Sequence, residues 1–185
     1  MPITRLLSAL LLWGLLCAGA QERGRTDTKT ERIANNKYGF SVVRPHKWYV
    51  FVGADTPSFH NYRAEDAPSN GDIPAGGADI WMHASAASDP PEQGELSRWA
   101  GKIVSARHGS DARERSIQAP GSTGLEVTFN QLPLGTPGDT LRIVVLAWRA
   151  RNTIFGAELT YIKDDPQAAE YERVLVDVMR SFRLM

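Results

Sequence analysis

The chain has 185 residues, 42% of them hydrophobic and 23% charged, which suits one ordinary globular domain and leaves no room for a second large one. Its 21 Lys and Arg balance 21 Asp and Glu, so no overall field is available to hold nucleic acid or an anionic membrane.

The first twenty residues have the layout of a secretory signal. Arg5 supplies the positive end, Leu6 to Leu16 the apolar run, and Ala18-Gly19-Ala20 the small residues of a cleavage site after Ala20. The run is too short to span a bilayer, which takes about 20 apolar residues. Cys17 offers a rival route, because a bacterial lipoprotein signal also ends at a cysteine that becomes acylated. Leu15 and Leu16 stand where that signal has small residues, so a periplasmic or secreted product is preferred over a lipoprotein. Without residues 1–20 no cysteine remains, and an exported domain of this size must rest on its apolar core. Gln21 to Arg32 has no large apolar residue and is dense in charge and Thr, the composition of a flexible tether. Residues 33–185 are expected to form the folded domain.

Within that domain, Ile33 to Val43 reads as strand interrupted at Asn35-Asn36, and Pro45, lacking an amide hydrogen, ends the ladder. Trp48 to Val52 is a second strand, apolar on both faces. Gly53 to Gly77 shows neither strand nor helix periodicity and is read as a long loop, a length usually tied to function or disorder. Ala78 to Ala86 alternates, with Ala78, Ile80, Met82 and Ala84 on one side and Asp79, Trp81, His83 and Ser85 on the other. Glu95 to Arg107 places Leu96, Trp99, Ala100, Ile103 and Val104 on one helical stripe. Strands follow at Leu125 to Phe129, Leu141 to Trp148 and Thr153 to Ile162, the last two close enough for a hairpin. Asp165 as N-cap and Pro166 at the first helical position predict a final helix bearing Tyr171, Val174, Leu175, Val178 and Phe182. The elements add up to an α+β layered domain, an antiparallel sheet with one inserted and one C-terminal helix. Periodicity leaves open whether the helices share a face.

Tyr38-Gly39-Phe40-Ser41-Val42, then Pro45-His46-Lys47-Trp48, then the ending Met179-Arg180-Ser181-Phe182, resemble the PsbP-like family over roughly residues 33–184. Its fold is shared by the extrinsic photosystem II protein of that name and a Ran-binding nuclear-transport factor. The resemblance implies an α/β/α sandwich around a central antiparallel sheet, and a binding or assembly role without catalysis. It implies structural duty for Tyr38, Gly39, Phe40, Pro45 and Trp48.

Chemical motifs are sparse. Asp79 and His83 share a strand face but lie about 13 Å apart at 3.3 Å per residue, too far to hold one metal ion between them. A site combining His60, Asp66 or Asp72 with His83 is open in principle, yet no dedicated ligand spacing supports it, and no metal or cofactor is expected. The other two histidines are His46 and His108. Gly121-Ser122-Thr123-Gly124 and His108-Gly109-Ser110-Asp111 read as turns rather than nucleophile motifs. Gly71 to Gly77 and Gly135 to Gly138 lack the Gly-Lys-Ser/Thr ending of a phosphate cradle. Aromatic residues carry more: Trp81 falls on the polar face of its strand beside His83, and the long loop supplies Phe59, His60, Tyr62 and Arg63, a composition met in binding hot spots. The plainer alternative, which is preferred, has Trp81 packed beneath the loop or a helix. Trp48, Trp99 and Trp148 suit the core or helix-to-sheet contacts.

The sequence therefore predicts an exported, monomeric, non-enzymatic domain that binds another envelope or secreted protein through Phe59, His60, Tyr62, Arg63, Trp81 and His83. It predicts no nucleic-acid partner and no transmembrane span. The alternative is a carrier of a small molecule or metal ion, with a pocket under residues 53–77.

Overall fold

A computed structural model describes residues 22–23, 31–52, 55–67, 73–132 and 138–185. The signal sequence, Cys17, most of the tether, Asp72 and residues 133–137 lie outside the described residues. The strands are β1 (Glu22–Arg23), β2 (Arg32–Asn35), β3 (Phe40–Val43), β4 (Tyr49–Val52), β5 (Pro57–His60), β6 (Ala78–Ala86), β7 (Ser110–Ala119), β8 (Ser122–Gln131), β9 (Leu141–Ala150), β10 (Thr153–Ile162) and β11 (Arg183–Leu184). Helix α1 (Glu95–Ala106) joins β6 to β7, and α2 (Ala168–Ser181) precedes β11. Eight strands form one antiparallel sheet in the order β1-β4-β5-β6-β10-β9-β8-β7, and β11-β3-β2 form a small second sheet.

The period-two alternation of the central strands divides the apolar residues between two layers. Phe155, Ala157, Leu159 and Tyr161 of β10, with Val144, Leu146 and Trp148 of β9, face a core closed by α2 and the small sheet. Phe40, Trp148, Phe155 and Phe182 meet there ring to ring, with centroids 4.8 to 5.7 Å apart for the three contacts Phe182 makes with Phe155, Trp148 and Phe40. On the reverse side, Ile143 and Val145 of β9 and Val127 and Phe129 of β8 form a smaller core with Ala100 of α1. The helices thus cover opposite faces, and the architecture is the α/β/α sandwich that the family resemblance implied.

Glycine places α1. A Cβ on Gly156 would stand 2.3 Å from the Trp99 ring, so the bare backbone of β10 is the seat on which that indole lies. The residues around the starts of β3 and β4 hold local structure in a similar way. Asn35 Oδ1 accepts the Tyr38 amide at 3.0 Å, Gly39 takes φ +64° to close the turn, and Phe40 is fully buried. The Trp48 amide donates to the Pro45 carbonyl at 3.2 Å, and the Trp48 side chain is buried.

Several elements depart from expectation. The strand predicted across Ile33 to Val43 is a hairpin, and it belongs to the small sheet rather than the central one. The segment read as a loop over 53–77 contains β5, paired with both β4 and β6. Pro57 is tolerated at the first position of this strand, where a missing donor costs least. Residues 110–119, whose first two were read as part of a turn, form β7 at the sheet edge. Its first seven residues are exposed, so no buried face existed to impose an alternation. Ser110 and Ser122 accordingly begin strands rather than occupy turns. Helix α2 starts at Ala168 with Gln167 at its N-cap; Asp165 Oδ1 instead accepts the Gln167 amide at 2.7 Å in the preceding turn.

Candidate functional site

Helix α1 lies over β7, β8 and β9 and rests Trp99 on β10. On the same face, β4, β5 and β6 form the other half of the sheet, which α1 reaches at His83 of β6 through Trp99. Alternation and register bring a row of polar and aromatic side chains to that half. His60 of β5 pairs with Tyr49 and Asp79, Ser58 with Phe51 and Trp81, and Trp81 with Glu158 of β10. The His60 ring meets Phe51, Tyr62 and Trp81 edge-on, with centroids 4.5, 5.3 and 6.2 Å away. His83 lies further along β6 against Trp99 at 5.9 Å.

Trp81 is 41% exposed, which overturns the expectation that it packs beneath the loop or a helix. The chain after β5 turns toward β4 instead, where Arg63 Nε donates to the Tyr49 hydroxyl at 3.1 Å. Four of the six residues singled out in the sequence, His60, Tyr62, Trp81 and His83, therefore share one face. Arg63 flanks it, exposed. Phe59 does not join them: period two turns it to the other side of β5, where it is fully buried in the larger core and unavailable to any partner.

Behind the aromatic platform stands a charged row. Glu158, 1% exposed, takes Arg107 Nη2 at 2.6 Å on one oxygen and contacts His83 Nε2 at 2.9 Å with the other. Burial alone would raise this carboxyl, but the His83 hydrogen bond and the Arg107 charge outweigh it and hold the group below the usual carboxylate range. Arg107 directly follows α1, so the ion pair also ties that helix to β10. Asp79 is the contrary case. Burial pushes it up to about 7 and the nearby Glu158 charge adds to the shift, against the Trp81 Nε1 donor to Oδ2 at 3.1 Å and the Arg107 charge. Its Oδ1 is buried without a partner. Burial lowers His60 to about 4, leaving the ring neutral, and raises Tyr62, reinforced by the Asp79 charge. The front of the site thus presents neutral aromatic groups, with fixed charge kept behind them.

A cleft of about 400 Å³ adjoins the platform between α1 and β6, walled by Thr56, His83, Ser85, Trp99, Lys102 and Ile103. The Ser85 hydroxyl is buried there without a hydrogen-bond partner. Residues 55 and 56, at the start of the segment read as a loop, do border a concavity.

The geometry offers little to a nucleophilic mechanism. Ser58 Oγ lies 3.1 Å from His60 Nε2, but Ser58 is 3% exposed, and no carboxylate bonds the imidazole among the described residues. Ser122 donates to the Arg149 carbonyl at 3.2 Å, and neither it nor Ser110 bonds a histidine among the described residues. No group of three or more His, Cys, Asp or Glu among those residues could hold a metal ion. His60 and His83 share the face without forming such a set. No helix among the described residues is long and apolar enough to cross a membrane.

Glu158 and Arg107 escaped the sequence reading. A signal was present: Glu158 is the one charged residue inside the otherwise apolar and hydroxylic strand Thr153 to Ile162, and buried acids require a partner.

No family model matches the sequence, and no curated protein matches it. Solved structures show the fold. The Ran-binding protein Mog1p of Saccharomyces cerevisiae superposes with a TM-score of 0.56 over 84% of this chain and 95% of its own, at 13% identity. Cyanobacterial PsbP from Synechocystis superposes with a TM-score of 0.53 over 88% of this chain and 97% of its own, at 14% identity. At such identities the likeness is one of architecture, and the PsbP-like fold implied by the sequence is the fold found.

Proposed function

We propose that this chain is an exported, monomeric, non-catalytic domain that binds another envelope or secreted protein through the platform of His60, Tyr62, Trp81 and His83, flanked by Arg63. The observation that carries this reading is the half-exposed Trp81 set edge-on against His60. Large aromatics held rigid at a partly desolvated surface supply contact area at small entropic cost, the usual anatomy of an interface anchor. The fold is also that of a Ran-binding protein, and the Arg5 to Ala20 pattern supports export.

The test compares recovery of partner proteins from the cell envelope by wild type and by the Tyr62→Ala, Trp81→Ala double variant. Two lost anchors at about 2 kcal/mol each are expected to reduce recovery by at least about tenfold, with circular dichroism unchanged. Equal recovery by both would remove this surface from consideration. The 400 Å³ cleft with its unpartnered Ser85 hydroxyl favours a second reading, a small-molecule carrier. Native mass spectrometry of the same preparations separates the two, since a carrier keeps an added organic mass that the Ser85→Val variant releases.

A further inference from the structure

The α2 side of the sheet carries another concavity, remote from the platform. It is an open groove of about 470 Å³ where β7 to β10 emerge beside the N-terminal half of α2. Arg113 of β7, Thr128 of β8, Arg142 of β9 and Lys163, just after β10, converge on it, with Ala168 and Glu172 of α2 on the far wall.

Many arginines elsewhere in this molecule have carboxylate partners: Arg98 with Glu92, Arg107 with Glu158, Arg149 with Glu95 and Arg173 with Glu170. Arg113, Arg142 and Lys163 have none among the described residues. The acids around the groove are largely committed. Glu126 holds Arg115 through two bonds of 2.5 and 2.7 Å, and Glu172 accepts the Tyr161 hydroxyl at 2.7 Å. Glu114 turns to the opposite face of β7 and accepts the Ser97 hydroxyl at 2.9 Å, leaving exposed Asp164 as the remaining carboxylate. Arg142 and Lys163 are half-buried, so part of their hydration is lost while neither forms a contact ion pair among the described residues. The positive end of α2 opens onto the same space through Ala168.

We propose that this groove binds a small oxyanion ligand carrying two or more negative charges, a phosphate ester or a polycarboxylate. Arg113 and Arg142 supply planar forks that match paired oxygens, Lys163 a mobile point charge, and Thr128 a hydroxyl donor. The groove and the platform occupy opposite faces of the sheet, so this inference stands or falls independently of the protein-binding surface.

Isothermal titration calorimetry on the folded chain at low salt, with pyrophosphate and citrate as probes, tests it. At least one probe is expected to bind at millimolar concentration or tighter. Arg142→Gln should weaken that binding about tenfold or more, the loss expected for one charge-assisted contact. Lys163→Gln, in the turn just after β10, should weaken it in the same direction, with circular dichroism unchanged. Glu126→Gln frees Arg115 to join the site and should tighten binding by about threefold or more. Arg151→Gln removes an unpaired cation at the β9–β10 turn and should change nothing. Pyrophosphate binding alone assigns the ligand to phosphates, citrate alone to carboxylates, and both to the shared chemistry. Absence of heat with either probe, or equal weakening by Arg151→Gln and Arg142→Gln, overturns the proposal.

Discussion

Gly156→Ala is expected to destabilise the protein by about 2 to 3 kcal/mol, the cost of forcing a methyl group into a packed contact. A Cβ there would lie 2.3 Å from Cη2 of Trp99 and 3.0 and 3.3 Å from two further ring carbons. A rigid indole cannot yield by bending, so the ring must leave its seat and α1 must follow. For a chain of this length the loss corresponds to a fall in Tm of about 5 to 10 °C. The Trp99→Leu background distinguishes this clash from a general intolerance of strand β10. There, Gly156→Ala should cost less than about 1 kcal/mol, since the opposing ring is gone. A Tm within about 2 °C of wild type, or the same cost in both backgrounds, would show that the contact is not what sets the position of α1. Because Trp99 also touches His83, the substitution should disturb the cleft as well as the fold.

Replacing Asp79 or His60 is expected to expose opposite pH dependences that partly cancel in the wild type. Asp79 is raised from 3.8 to about 7, so the native state holds a proton that the unfolded state releases. Its contribution to stability is complete below about pH 4 and is lost as pH rises to about 7, roughly 4 kcal/mol at about 1.4 kcal/mol per pH unit. His60 is lowered from 6.5 to about 4, so the native ring stays neutral where the unfolded one is protonated. Its contribution is complete above about pH 6.5 and is lost as pH falls to about 4, roughly 2 kcal/mol after discounting for partial exposure. The two slopes oppose each other over nearly the same interval. Urea unfolding between pH 4 and 7 should therefore give a shallow profile for wild type. Asp79→Asn should become more stable as pH rises, and His60→Gln less stable. The charged neighbours, Glu158 and Arg107, remain in both variants, and Glu158 weakens the fold only on further acidification. Parallel profiles for the three proteins would mean that neither group titrates as its burial dictates.

How much of this was legible beforehand follows from how strongly each segment is patterned by burial. β6 and β10 were read residue for residue because each packs one face against the aromatic core, which writes a period of two into the chain. α2 was legible for the same reason at its own period, with Tyr171, Leu175 and Val178 buried. β7 was not, because an edge strand whose Arg and Glu residues face water carries no alternation to read. β5 was hidden by its brevity: four residues opening on a proline resemble a turn until β4 and β6 supply partners on both sides. The site was half legible. Composition pointed to His60, Tyr62, Trp81 and His83, but which side of β5 each residue takes depends on register, and that dependence sent Phe59 to the core. The Glu158–Arg107 pair joins residues 51 positions apart and could be suspected only from the acid's apolar surroundings.

The two apolar layers are unequal. The one beneath α2 gathers most of the buried rings of the molecule, while α1 inters a single residue, Ala100, and otherwise leans on the sheet through half-covered side chains. A helix attached so lightly should peel away at a fraction of the free energy needed to unravel the whole, and amide hydrogens along Glu95 to Ala106 should exchange with deuterium well before those of β9 and β10. Each such excursion lifts Trp99 and Arg107 together, wetting Glu158 and releasing His83. The aromatic face would then breathe with its neighbouring helix while the far side of the sheet stays locked.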